Sequence, residues 1–180
     1  MSRKTLMKIH LYIAAFFTPM LLIMAVSGGL YLAGFEGEMK KGEPVLIPGA
    51  ALIQEGDAKA DELRAILEQA GLDSNFAYIR ERGAMMQTRP TSRDFYEVKT
   101  LPAGLEITPV SPDLVAALME LHKGHGPRIF RTMEIVLSVG LVLILLTGLI
   151  LGIQSPLFKI RTVAITGTGI FVAVILAALF

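Results

Sequence analysis

The chain has 180 residues, 53% of them apolar and only 18% charged, with a mean hydropathy of +0.57 and a net charge of +1. That charged share lies below the roughly 25% usual for soluble domains, which argues against a water-soluble monomer, and the cations gather at segment ends rather than on a basic face, which sets nucleic acid aside as a ligand. With no cysteine, disulfides, iron–sulfur clusters, thiolate metal sites and cysteine nucleophiles are excluded on this chain, so any redox chemistry would use a bound cofactor.

Residues 1–34 hold a basic start and the first expected transmembrane helix. From Ile9 to Gly34 only His10 interrupts the uncharged run, which at about 1.5 Å per residue is long enough to cross a hydrocarbon core of about 30 Å. Arg3, Lys4 and Lys8 also resemble the start of a signal peptide. The apolar run, however, exceeds the roughly 7–15 residues of such a segment, so an uncleaved helix is the expectation.

Residues 35–57, rich in Gly and Pro and carrying Glu36, Glu38, Lys40 and Lys41, read as an exposed connector. Order resumes in a small domain over 58–127. Ala60, Leu63, Ile66, Leu67 and Ala70 recur at helical spacing with Gly71 as a stop signal, predicting an amphipathic helix over Ala58–Ala70. Four runs of β character follow, Phe76–Arg82, Ala84–Arg89, Phe95–Thr100 and Leu105–Thr108, separated by Gly83, by Pro90 with Ser92, and by Pro102 with Gly104. They predict a small antiparallel sheet with a helix on one face. Ser111-Pro112-Asp113 then opens a helix through about Leu121, with Pro112 suited to its first turn. A domain of about 70 residues is near the lower limit for an independent core, so it is expected to lean on the membrane helices or on a partner. It shows no paired carboxylates and no Ser–His–Asp arrangement.

A second uncharged run, Ile135–Ile153 within 128–154, and a third, Thr162–Phe180, are joined by a loop over 155–161 and predict a helical hairpin. Arg3, Lys4 and Lys8 before the first helix, with Lys159 and Arg161 in the short loop, place both segments on the cytoplasmic side of a bacterial inner membrane. Residues 35–130 are then extracytoplasmic, and Arg128 and Arg131 are the cations arguing the other way. The fold class expected is therefore membrane α-helical, with three transmembrane helices and a small α+β extracytoplasmic insert between the first and second. No Asp, Glu, Lys or Arg lies deep in a span, which argues against an ion-coupled transporter acting alone. Small residues recur instead, among them Ser27-Gly28-Gly29, Gly140, Thr147-Gly148 and Gly152. They permit close helix packing within this chain or against a second copy, a partner subunit or a flat cofactor.

The histidines are three: His10 near the inner end of the first helix, and His122 and His125 in Glu120-Leu121-His122-Lys123-Gly124-His125-Gly126-Pro127. Imidazole at a membrane boundary suits axial ligation of haem iron. Taken on spacing alone, His10 reads rather as an interfacial polar residue, and His122 and His125 as parts of an ordinary loop. Met7, Met119 and Met133 lie near these histidines in depth, where methionine is normally packing. Arg131 and Glu134, three apart on one helix face, are expected to pair at the surface, with haem propionate binding by Arg128 or Arg131 as the alternative.

A basic start followed by Lys8-Ile9-His10-Leu11, a helix closing in Ser27-Gly28-Gly29-Leu30, a helix-plus-sheet insert, and Leu121-His122 leading into a helix closing in Leu146-Thr147-Gly148-Leu149 together resemble the PepSY-associated transmembrane proteins. The resemblance covers nearly the whole chain. It implies that the insert is PepSY-like. Larger members of the family are similar to siderophore-linked ferric reductases that pass electrons across the membrane through b haems. By position His10 and His122 match the histidines expected there, as haem b ligands and so as the metal-binding residues, with His125 as an extra cofactor-binding candidate. The larger reductases have at least four helices and more histidines. Here His10 is expected inside and the other two outside, about one bilayer thickness apart, so a bis-histidine site would need a second copy, another subunit or a different ligand. Two functions follow as expectations. One is a membrane-anchored electron-transfer or iron-reduction component carrying haem b, acting in the lipid bilayer as a homo-oligomer or with other membrane subunits. The other is a haem-free accessory or regulatory subunit of an envelope complex, using the insert as an interaction module.

Overall fold

The computed structural model describes residues 2–83 and 85–179. Ala84, at which one expected strand begins, and Phe180, at the end of the third expected span, lie outside the described residues. Three helices are long and apolar enough to cross a membrane: α1 (Arg3–Leu32), α4 (Arg128–Ile153) and α5 (Lys159–Leu179). In the chain, α1 is followed by strands β1 (Met39–Lys41) and β2 (Val45–Pro48), helix α2 (Asp57–Gln69), strands β3 (Tyr78–Arg82), β4 (Met85–Arg89), β5 (Phe95–Leu101) and β6 (Gly104–Pro112), and helix α3 (Leu114–His122). The sheet thus lies between the first and second long helices in sequence. Three such helices are consistent with a multi-pass membrane protein whose apolar side chains contact lipid.

The chain forms two compact units, residues up to Leu22 with Ile135 onward, and residues Ile23–Glu134. In the first, the helices approach closely where one partner has no side chain: Gly140 of α4 sits against the Phe17 ring of α1, and Gly152 of α4 against the Thr162 side chain of α5. Leu6 and Leu137 are the buried apolar side chains here. Helix α5, apolar beyond its basic first turn, has no buried residue, as expected of a helix solvated by lipid.

In the second unit the sheet is wholly antiparallel with strand order β1-β6-β5-β4-β3, and β2 also pairs with β6. The Gly- and Pro-rich stretch over 35–57 is therefore a partial correction to the expected connector: Met39–Lys41 and Val45–Pro48 are strands, in register with Val110–Pro112 and Gly104–Ile107. Gly104 makes this possible. Its φ of 144° is glycine's region, and a Cβ there would collide with the Ile47 carbonyl of β2. One sheet face is apolar. Met86, Val98, Leu105 and Ile107 pack with Phe76 beneath Ala60, Leu63 and Leu67 of α2, the stripe that the helical spacing predicts. The helix over 114–122 starts later than expected. Pro112 ends β6, and Asp113 is the N-cap, its side chain accepting from the Ala116 N–H at 2.8 Å.

Candidate functional site

His122 is the last residue of α3, and its imidazole turns toward α1. Its Nδ1 lies 3.0 Å from Ser27 Oγ, and Ser27 is only 1% exposed. The ring also covers Gly28, where a Cβ would stand 3.0 Å from His122 Cε1 and 3.5 Å from Nε2. Glycine is what lets imidazole lie against the helix. The Ser27 hydroxyl is within reach of a second acceptor, the Met24 carbonyl at 3.1 Å. A hydroxyl has one proton. In the neutral ring both bonds are made at once only when Ser27 donates to Met24 and His122 donates Nδ1–H to Ser27, which leaves the Nε2 lone pair free.

His10 repeats this arrangement in the other unit. Its Nδ1 is 2.8 Å from Thr147 Oγ1 of α4, the Thr147 hydroxyl reaches the Leu143 carbonyl at 2.6 Å, and a Cβ on the next residue, Gly148, would stand 3.3 Å from His10 Cε1. For a neutral ring the same proton accounting favours the Nδ1–H tautomer of His10. Ser27-Gly28 and Thr147-Gly148, which the sequence presents as packing positions, are thus the hydroxyl–glycine notches that seat the two histidines. The signal was present in the chain, as a hydroxyl residue directly before a glycine in each helix. Its pairing with a histidine 95 or 137 positions away was not.

His125, the third candidate, is drawn into a different cluster on the sheet face opposite α2. Its Nδ1 donates to Glu120 Oε2 at 2.8 Å, and burial lowers its pKa against the pull of Glu120, so it is a neutral donor near pH 7. Thr91 donates to the same carboxylate oxygen. Arg89, 1% exposed, places Nη1 at 2.6 Å from Thr91 Oγ1 and 3.5 Å from Glu120 Oε2, and Nη2 at 3.4 Å from Gln87 Oε1. Burial alone would raise the Glu120 carboxyl, but the Thr91 and His125 hydrogen bonds outweigh it and hold the group below its usual range. Sequence reasoning missed this cluster, because Gln87, Arg89, Thr91 and Glu97 alternate as a solvated strand face would.

Glu134 also departs from expectation. Among the described residues it makes no ion pair with Arg131, and its Oε1 is buried without a hydrogen-bond partner. Arg128 instead stacks over the Tyr78 ring at 5.7 Å.

The donor set can be tested against haem. Among the described residues no three His, Asp or Glu side chains converge as a cage for a metal ion, whereas haem brings its own four nitrogens and asks the protein only for axial donors. An imidazole whose Nδ1–H is held by a neighbouring oxygen and whose Nε2 is unprotonated is the form that ligates iron. His10 and His122 each place Nδ1 beside a hydroxyl oxygen, at 2.8 and 3.0 Å; each is a single donor and would take that form as a neutral Nδ1–H tautomer. The residues therefore fit one axial position apiece. Compared with known proteins, the chain matches no family model, no curated protein and no solved structure.

Proposed function

We propose that this chain is a bacterial inner-membrane protein, related to the PepSY-associated transmembrane proteins, that carries haem b through His10 and His122 and transfers electrons, for example toward ferric iron. It works as a homo-oligomer or with partner subunits that complete the axial ligation. The observation carrying the reading is that each histidine meets a hydroxyl at Nδ1 while that hydroxyl also reaches a main-chain carbonyl, an arrangement that in a neutral ring leaves Nε2 available to ligate. Bound haem supplies one-electron exchange at iron. The chain's own part is to fix the tautomer and orientation of each imidazole, through Thr147 and Gly148 for His10 and through Ser27 and Gly28 for His122. Arg3, Lys4, Lys8, Lys159 and Arg161 support a cytoplasmic N-terminus and α4–α5 loop, with residues 35–130 extracytoplasmic.

A second reading is favoured by the sheet edge. β3 pairs on one side only, and a groove of about 640 Å3 runs beside it, lined by residues of α2 and β3 with Arg128. An open edge next to a groove suits a haem-free accessory subunit whose outer module binds another envelope protein.

Optical spectra of the purified protein, oxidised and dithionite-reduced, with a haemochrome count, separate the two. Low-spin b-haem bands that are lost in His10→Ala or His122→Ala support the first. A colourless protein expressed with ample haem and its membrane partners refutes it and leaves the second.

A further inference from the structure

The sheet face opposite α2 borders a cavity of about 220 Å3, and Arg89 lines it. A buried guanidinium offers five N–H donors and one positive charge, and both need partners. Arg89 is incompletely served. Its Nη1 and Nη2 reach Thr91, Glu120 and Gln87, the last two at 3.5 and 3.4 Å, and its Nε is buried with no partner.

The two carboxylates in the wall are already engaged. Glu97 accepts from Lys41 Nζ at 2.6 Å through one oxygen and from Gln87 Nε2 at 3.2 Å through the other. Glu120 accepts from Thr91 and His125 through Oε2 and from Lys123 Nζ at 3.5 Å through Oε1. Two further cations, Arg82 and Lys123, line the same cavity, and among the described residues Arg82 forms no ion pair. The wall therefore holds more positive charge than its carboxylates neutralise, and a buried donor lacks an acceptor.

We propose that this cavity binds a small oxyanion bearing a carboxylate or phosphate group, with Arg89 as the buried anchor and Arg82 and Lys123 as the outer contacts. Planar guanidinium groups present paired N–H donors that match carboxylate and phosphate oxygens, and such charge-assisted bonds are the stronger kind. At about 30 Å3 per water molecule the space equals several waters, enough for phosphate or a four-carbon dicarboxylate. The site does not rest on the proposed haem ligation through His10 and His122; His125, which also lines the cavity, is engaged by Glu120.

The test is isothermal titration of the full chain in detergent with sodium phosphate and, separately, sodium succinate, each against sodium chloride at matched ionic strength. One saturable site per chain for either anion is expected, and which anion binds tells phosphate from carboxylate recognition. Arg89→Gln should abolish binding. Because that buried substitution can unfold the domain, the deciding variant is Arg82→Gln with Lys123→Gln, which leaves the Arg89–Thr91–Glu120 bonds in place. It should keep its circular dichroism and lose about tenfold or more in affinity. No saturable binding of either anion at millimolar concentration, or equal affinity in the folded double variant, would overturn the proposal.

Discussion

His122 and Ser27, 95 positions apart in the chain, meet with Nδ1 3.0 Å from Oγ, and the glycine that follows Ser27 leaves room for the Cε1 edge of the imidazole against α1. His10 and Thr147, followed by Gly148, make the same three-part contact. In each, the hydroxyl orients the ring while the glycine sets how near the ring can come.

Removing the hydroxyl tests its role. Ser27→Ala and Thr147→Ala keep the helix and free the imidazole to turn and to exchange tautomers. On the proposed haem ligation, each is expected to lower haem retention by roughly 10–100-fold, the usual cost of losing an orienting partner to a ligating histidine. Titrating haem into the purified variants and following the reduced absorbance band checks this.

The glycine notch has a built-in control. A Cβ on Gly28 would press on His122 Cε1 at 3.0 Å, whereas one on Gly29 would meet nothing within 4 Å. Gly28→Val should displace the ring and Gly29→Val should not. NMR of the isotope-labelled His122 Cε1–H reports the displacement directly, whether or not haem is bound. Equal shifts in both variants would contradict the packing described.

Glu120 is the acceptor at which Arg89, Thr91 and His125 converge. Glu120→Ala leaves the Arg89 charge buried without a carboxylate and is expected to destabilise the outer domain by about 3–5 kcal/mol. Urea unfolding followed by tyrosine fluorescence measures it. Leu63→Ala, which removes a fully buried side chain from the opposite face, should cost about 2–5 kcal/mol in the same assay.

Asp113 links the start of α3 to the chain before β1: Oδ1 accepts from Ala116 N–H at 2.8 Å and Oδ2 from Glu38 N–H at 3.0 Å. These hydrogen bonds, the Ala116 one foremost, lower its pKa below the ordinary value of 3.8. A depressed folded-state pKa gives stability that is complete above the unfolded value and is lost as pH falls through the folded one. The melting temperature should therefore drop as pH falls below about 4. Asp113→Asn, which keeps an acceptor oxygen and cannot titrate, should flatten this limb of the profile relative to wild type.

The three long helices were legible in the chain because a spanning helix is a local property: about 20 apolar residues without charge suffice, whatever lies elsewhere. The stripe of α2 was legible for the same reason, as Ala60, Leu63 and Leu67 carry their own period. Strands β1 and β2 were not. Neither Met39–Lys41 nor Val45–Pro48 alternates convincingly, and each becomes a strand because β6, distant in sequence, offers an open edge in register. Arg89 and its neighbours show the same limit, since a polar strand face is buried only when another segment, here carrying Glu120 and His125, folds over it. The histidines combine both cases. Their residue type and place near the helix ends were plain from the sequence, but the hydroxyl that each one meets depends on side chains brought together across the fold.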